Sequence, residues 1–173
     1  MRNGRQSMLF NSYIFVLLFL PLCLIGYFGL NHFKKYKLAQ IFLLGMSFWF
    51  YGYFNPAYLL IIMSSVLINY TVYRLMGKAS LSHFRKAFMI VGVILNVGIL
   101  GYFKYMDFFI ENLNGIFGTD IPFLKIALPL GISFFTFQQI SFVVDAYRGE
   151  ITEYGFLDYA NFVTFFPQLI AGP

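Results

Sequence analysis

Long apolar runs broken by short basic or proline-containing stretches set the pattern of this chain. Residues 9–30 carry no charged side chain, and further apolar runs cover 38–54, 57–73, 87–103, 124–144 and 159–173. A helix rises 1.5 Å per residue, so roughly 20 apolar residues cross the hydrocarbon core of a bilayer, with a range of about 17–25. The pattern predicts an all-α polytopic membrane protein with about five to six transmembrane helices, in one membrane domain spanning 1–173. The first run follows Arg2 and Arg5, as a signal peptide would. It is too long for that, and Gly26-Tyr27-Phe28 is a poor cleavage site. Translation could start at Met1 or at Met8, which leads straight into the run.

Two breaks have a distinct character. Asn55-Pro56 separates the second and third runs with almost no loop. Proline disfavours helix at the residue before it and permits a fresh start after it, so a tight helical hairpin is expected. Between the fourth and fifth runs, Met106, Phe109, Ile110, Leu113 and Phe117 recur at helical spacing, with Asp107, Glu111 and Asn114 on the other side. This predicts a short amphipathic helix over 105–117, too charged to span and suited to a membrane interface. A loop helix packed on the spans is the alternative.

Composition sharpens the class. The chain is 60% apolar and only 11% charged, with 24 Phe and 13 Tyr. Soluble domains are about a quarter charged, and a soluble fold of this size could not hide so much apolar surface. The net charge of +5 does not indicate nucleic acid. The basic residues sit in loop clusters, Lys34, Lys35 and Lys37 in one and Arg74, Lys78, Arg85 and Lys86 in another. With the N-terminus outside, both clusters and Arg148 lie in the cytoplasm, leaving Arg2, Arg5, Lys104 and Lys125 outside, as the positive-inside rule prefers. The single Cys23 lies in an apolar run, which excludes a disulfide framework and a CxxC metal site. His32 and His83 fall in basic loops without partner ligands.

The fifth run is polar for a span. It carries Ser133, Thr136, Gln138, Gln139 and Ser141. At 100° per residue, Ser133, Phe137, Ser141 and Asp145 share one broad arc, with Gln138 beside Asp145, and Phe135 and Phe142 lie opposite as an expected lipid face. Polar side chains in a membrane face other helices or a wet cavity. Helix–helix hydrogen bonding and cavity lining both fit, and Ser133, Thr136, Gln138 and Ser141 are the cavity-lining candidates. Asn69 and Asn96 read as interhelical hydrogen bonds, and Gly92, Gly98 and Gly101 as sites of close helix packing. No nucleophile–base set, membrane carboxylate pair or phosphate-cradling glycine loop is present, so no residue is assigned to catalysis and none to a metal.

Five stretches, in order, carry a resemblance. They are Met8-Leu9-Phe10-Asn11-Ser12 with Phe19-Leu20-Pro21; Phe48-Trp49-Phe50-Tyr51-Gly52 before Asn55-Pro56; Asn96 to Tyr105; LPLGISFFTFQQISFVVDAYRGEI from Leu128; and Phe165-Phe166-Pro167-Gln168-Leu169-Ile170-Ala171-Gly172-Pro173. Together they resemble the membrane-bound O-acyltransferase (MBOAT) family, in its AlgI-like alginate and polysaccharide O-acetyltransferase branch. The resemblance implies the N-terminal part of a ring of tilted helices around a thin centre with funnels, in a bacterial inner membrane. It implies acetyl transfer, with acetyl-CoA as donor, by way of an extracytoplasmic partner protein to a polysaccharide. It also implies that the polar arc of the fifth span faces the funnel. The family's catalytic histidine lies in an apolar helix of the second half, which this chain does not reach, and His32 and His83 match neither its position nor its context. A fragment inactive alone is therefore expected. D-alanyl transfer lacks a close match to Phe134–Gln139, peptidoglycan O-acetylation is not separable, and a non-enzymatic transporter or channel subunit would show transport without acyl transfer.

Overall fold

The computed structural model describes residues 15–54, 56–126, 128–129, 131–151 and 153–165. The motif residues before 15 and after 165, with Asn55, lie outside them. Seven α-helices and no strand occur among the described residues: α1 (Leu20–His32), α2 (Tyr36–Phe54), α3 (Pro56–Met76), α4 (Arg85–Leu100), α5 (Met106–Phe117), α6 (Ile132–Arg148) and α7 (Phe156–Thr164).

Helix ends follow local chemistry. Pro56 opens α3, where its missing N–H would have no intrahelical acceptor. Gly149 closes α6 at φ 84°, and the Glu150 N–H reaches Asp145 O at 3.0 Å. A side chain at that left-handed backbone would be strained, so glycine suits it. The same motif closes α1, with Lys35 N–H on Leu30 O at 3.0 Å, but there Lys34 takes the left-handed conformation at φ 57°.

A short 3-10 turn (Ala79–Phe84) leads into α4, and a wide turn (Gly101–Tyr105) joins α4 to α5. Ser82–Phe117 is thus one helical run of 36 residues, about 54 Å if straight. The amphipathic segment is a continuation of this run, with only Ile110 of α5 buried. Its polar side holds the chain that follows. Asp107 accepts the Leu124 and Lys125 N–H groups at 2.8 and 3.0 Å, and Asn114 both accepts from the Ile121 N–H and donates to Ile121 O, each at 2.9 Å. These bonds satisfy backbone that has no helix of its own. Helical geometry resumes only at Ile132, later than the apolar run that begins at Leu124, after Pro129 and Gly131.

Among the described residues, two helical runs, Pro56–Met76 and Ser82–Phe117, are long and apolar enough to cross a membrane. The core sits where α6 packs against α3, α4 and α7, with α2 also against α3 and α7. Tyr51, Ile62, Phe135, Val143, Tyr159 and Val163 are buried there. The outside is also apolar: Leu17, Ile25, Ile94, Phe108 and Ile116 are all more than half exposed.

Candidate functional site on the polar helix

Eight residues of α6 are buried, among them Thr136, Gln138 and Gln139, so one helix presents polar groups to more than one neighbour. On one side, Gln139 joins α6 to α3 and α4. Its Oε1 accepts from Ser65 Oγ at 2.6 Å and from Asn69 Nδ2 at 2.9 Å. Asn69 and Asn96 pair amide to amide, with Asn96 Nδ2 donating to Asn69 Oδ1 at 2.6 Å and Asn69 Nδ2 to Asn96 Oδ1 at 3.2 Å. Asn96 Nδ2 also reaches Gly92 O at 2.8 Å. All four side chains are buried, which places Asn69 and Asn96 in interhelical bonding as the sequence suggested. Ser65, four residues before Asn69 on α3, was overlooked, although that spacing puts both on one face.

Gly92 lets α4 come this close. A Cβ there would lie 3.1 Å from Val143 Cγ1 and 3.2 Å from Val72 Cγ1. The packing role expected of Gly98 and Gly101 is not seen, because a Cβ at either meets nothing within 4 Å among the described residues.

The next side of α6 differs. Gln138 is 8% exposed, yet neither its Nε2 nor its Oε1 has a hydrogen-bond partner among the described residues. Phe135 and Phe142, three residues before and four after it, are 1% and 4% exposed. Phe142 lies 4.2 Å from the Tyr159 ring and 5.1 Å from the Tyr73 ring, centroid to centroid. The expected lipid face is thus corrected. These rings fill the space between α3, α6 and α7, because large aromatic surfaces pack better against other rings than on an outer face. Tyr51 and Tyr159 also bury hydroxyls without partners.

The remaining candidates disperse. Ser133 is half-buried and accepts from Lys104 Nζ at 3.2 Å, tying the wide turn to the start of α6. Thr136 is 1% exposed. Ser141 is exposed and donates to Asp145 Oδ2 at 3.2 Å within the same helix, and Phe137 is 65% exposed. The predicted arc of Ser133, Phe137 and Ser141 is therefore the outer side of α6 among the described residues, while Thr136 and Gln138 point inward. His32 and His83 are both exposed, and no group of three or more metal-ligand side chains occurs among the described residues.

No family model matches the chain, and no solved structure matches it. Curated proteins do. The chain is 38% identical to a peptidoglycan O-acetyltransferase of Helicobacter pylori, over 96% of this chain and 36% of that protein. It is 38% identical to a probable alginate O-acetylase AlgI of Pseudomonas aeruginosa, over 96% of this chain and 32% of that protein. The probable AlgI of Azotobacter vinelandii is 36% identical, with 96% and 34% covered. The chain thus spans about a third of the length of the curated relatives it matches. The resemblance carried by the motifs holds along nearly the whole chain, which is similar to these O-acetyltransferases over about a third of their length.

Proposed function

We propose that this chain is part of a bacterial membrane-bound enzyme that moves acetyl groups onto an extracytoplasmic polysaccharide. The observation that carries the reading is 38% identity across 96% of the chain to O-acetyltransferases of two substrate classes. The donor is acetyl-CoA at the cytoplasmic face, and the acceptor is reached by way of an extracytoplasmic partner protein. Five to six helices cross the inner membrane with the N-terminus outside. The length of the Ser82–Phe117 run supports an interfacial role for α5, since a run of about 54 Å outreaches a hydrocarbon core of about 30 Å. Ser133, Thr136, Gln138 and Ser141, on two sides of α6, are the candidates to line or border the funnel of the whole protein.

O-acyl transfer needs a base that takes the acceptor hydroxyl's proton, and histidine suits that near neutral pH. His32, at the end of α1, and His83, in the 3-10 turn, are exposed and offer no enclosed site, so the base belongs to a part of the enzyme outside this chain. Peptidoglycan is a second substrate reading of equal standing, favoured by the Helicobacter pylori relative.

The test is complementation. The complete gene is expressed in one host lacking its own alginate O-acetylase and in another lacking its peptidoglycan O-acetyltransferase. Ester-linked acetate released by mild alkali from each polymer is then measured. Acetate restored on either polymer supports the reading and names the acceptor. Full expression with no acetate on either polymer rejects it.

A further inference from the structure

A cavity of about 570 Å³ opens where α3 ends, the 3-10 turn runs, α4 begins and α6 ends. Ligand sites are commonly of roughly 300–1,000 Å³. Arg74, Lys78 and Arg85 line it together with Ser82, and Tyr73 and Ile151 supply an apolar wall. Arg85 is fixed, because its Nη2 donates to Ala146 O at 3.1 Å and Tyr147 O at 3.2 Å, two carbonyls at the end of α6. Its Nε is buried and has no partner among the described residues. The Arg74 and Lys78 side chains make no hydrogen bond or ion pair among the described residues, and Glu150 pairs with none of the three cations.

Both membrane-capable runs terminate at this cavity, Pro56–Met76 by its last residues and Ser82–Phe117 by its first. If they cross a bilayer, the cavity lies at headgroup depth, where basic pockets between helices bind anionic lipid headgroups. Three cations lining one cavity, two of them without side-chain partners among the described residues, suit a phosphate, and the adjoining apolar wall suits the glycerol and upper chains of an amphiphile. We propose that this cavity binds the phosphate of an anionic phospholipid headgroup. The proposal rests on the two runs crossing a membrane and not on acyl transfer.

The full chain, purified in an uncharged, phosphate-free detergent, is titrated with short-chain phosphatidylglycerol, short-chain phosphatidylcholine and inorganic phosphate, with binding followed by native mass spectrometry. Arg74→Gln and Lys78→Gln are used because neither side chain holds the fold together. Phosphatidylglycerol should bind more tightly than phosphatidylcholine, and each substitution should weaken it roughly fivefold. A Lys34→Gln/Lys35→Gln double variant, at the other basic turn, should leave binding unchanged. Equal loss in that double variant would reduce the effect to general surface charge and overturn the pocket. Inorganic phosphate binding with the same dependence on Arg74 and Lys78, and no added affinity for phosphatidylglycerol, would make this a soluble-phosphate site and overturn the lipid assignment.

Discussion

Gln138 and Gln139 are neighbours in sequence with the same side chain, and both are buried. Gln139 is met through its carbonyl, since α3 presents Ser65 and Asn69 one turn apart and both bond that oxygen, while its Nε2 has no partner among the described residues. Gln138 shares its side of α6 with Phe135 and Phe142 and meets no partner among the described residues. An amide buried without a partner costs about 1–3 kcal/mol. The difference lies in the neighbouring helices, not in α6. One polar residue ties the bundle together, and the next stabilises nothing that can be identified among its neighbours.

The largest expected effect tests the side that Gln138 shares. Phe142→Ala should destabilise the chain by about 3–5 kcal/mol, the usual cost of removing a buried aromatic ring, because Phe142 packs on Tyr73 and Tyr159. Unfolding by denaturing detergent from mild micelles measures it. A loss under about 1 kcal/mol, as for a lipid-facing ring, would return Phe142 to the outer face and break the comparison. Next comes Gln139→Leu, which strands the Ser65 hydroxyl and part of the Asn69 amide. Interhelical hydrogen bonds in membrane proteins average about 0.6 kcal/mol with a maximum near 1.7, and two bonds are lost, so about 1–2 kcal/mol is expected in the same titration. No loss would mean that the network is ornamental and Gln139 no more integrated than Gln138.

The sequence made the helices legible, because apolar runs and end signals agree. Pro56 and Gly149 mark their helix ends by their own chemistry, whereas Lys34 takes a left-handed cap that no residue type would announce. Within α6, polarity alone sorted the faces wrongly. Phe135 and Phe142 were placed outward because they are apolar, but both are buried, Phe142 against Tyr73 of α3 and Tyr159 of α7. A helix with surroundings as apolar as the protein core would show no simple inside-out hydropathy, since both are equally apolar to a Phe ring. The Asn69–Asn96 contact could be anticipated because an amide in an apolar span needs a partner. Which glutamine would join it depends on helix rotation, and one step of 100° decides it.

The smallest expected effect on stability is also the most telling. Gln138→Leu keeps the side-chain volume close and removes two polar atoms that have no partner among the described residues. It should change stability by less than about 1 kcal/mol, or raise it, since replacing an unpaired buried polar group by an apolar one of similar shape can be neutral or stabilising. A loss well above 1 kcal/mol would show that Gln138 is bonded within the bundle, and the contrast with Gln139 would vanish. If the complete protein carries out the proposed acetyl transfer, the same substitution there separates two reasons for keeping such a residue. If the amide borders the funnel, Gln138→Leu should lower ester-linked acetate on the polymer at least about tenfold while protein level and thermal stability hold, because a group positioned at a reacting centre is worth a few kcal/mol there. If acetate is unchanged, Gln138 has no part in the transfer, and the polar side of α6 reduces to the hydrogen bonds that hold α3, α4 and α6 together.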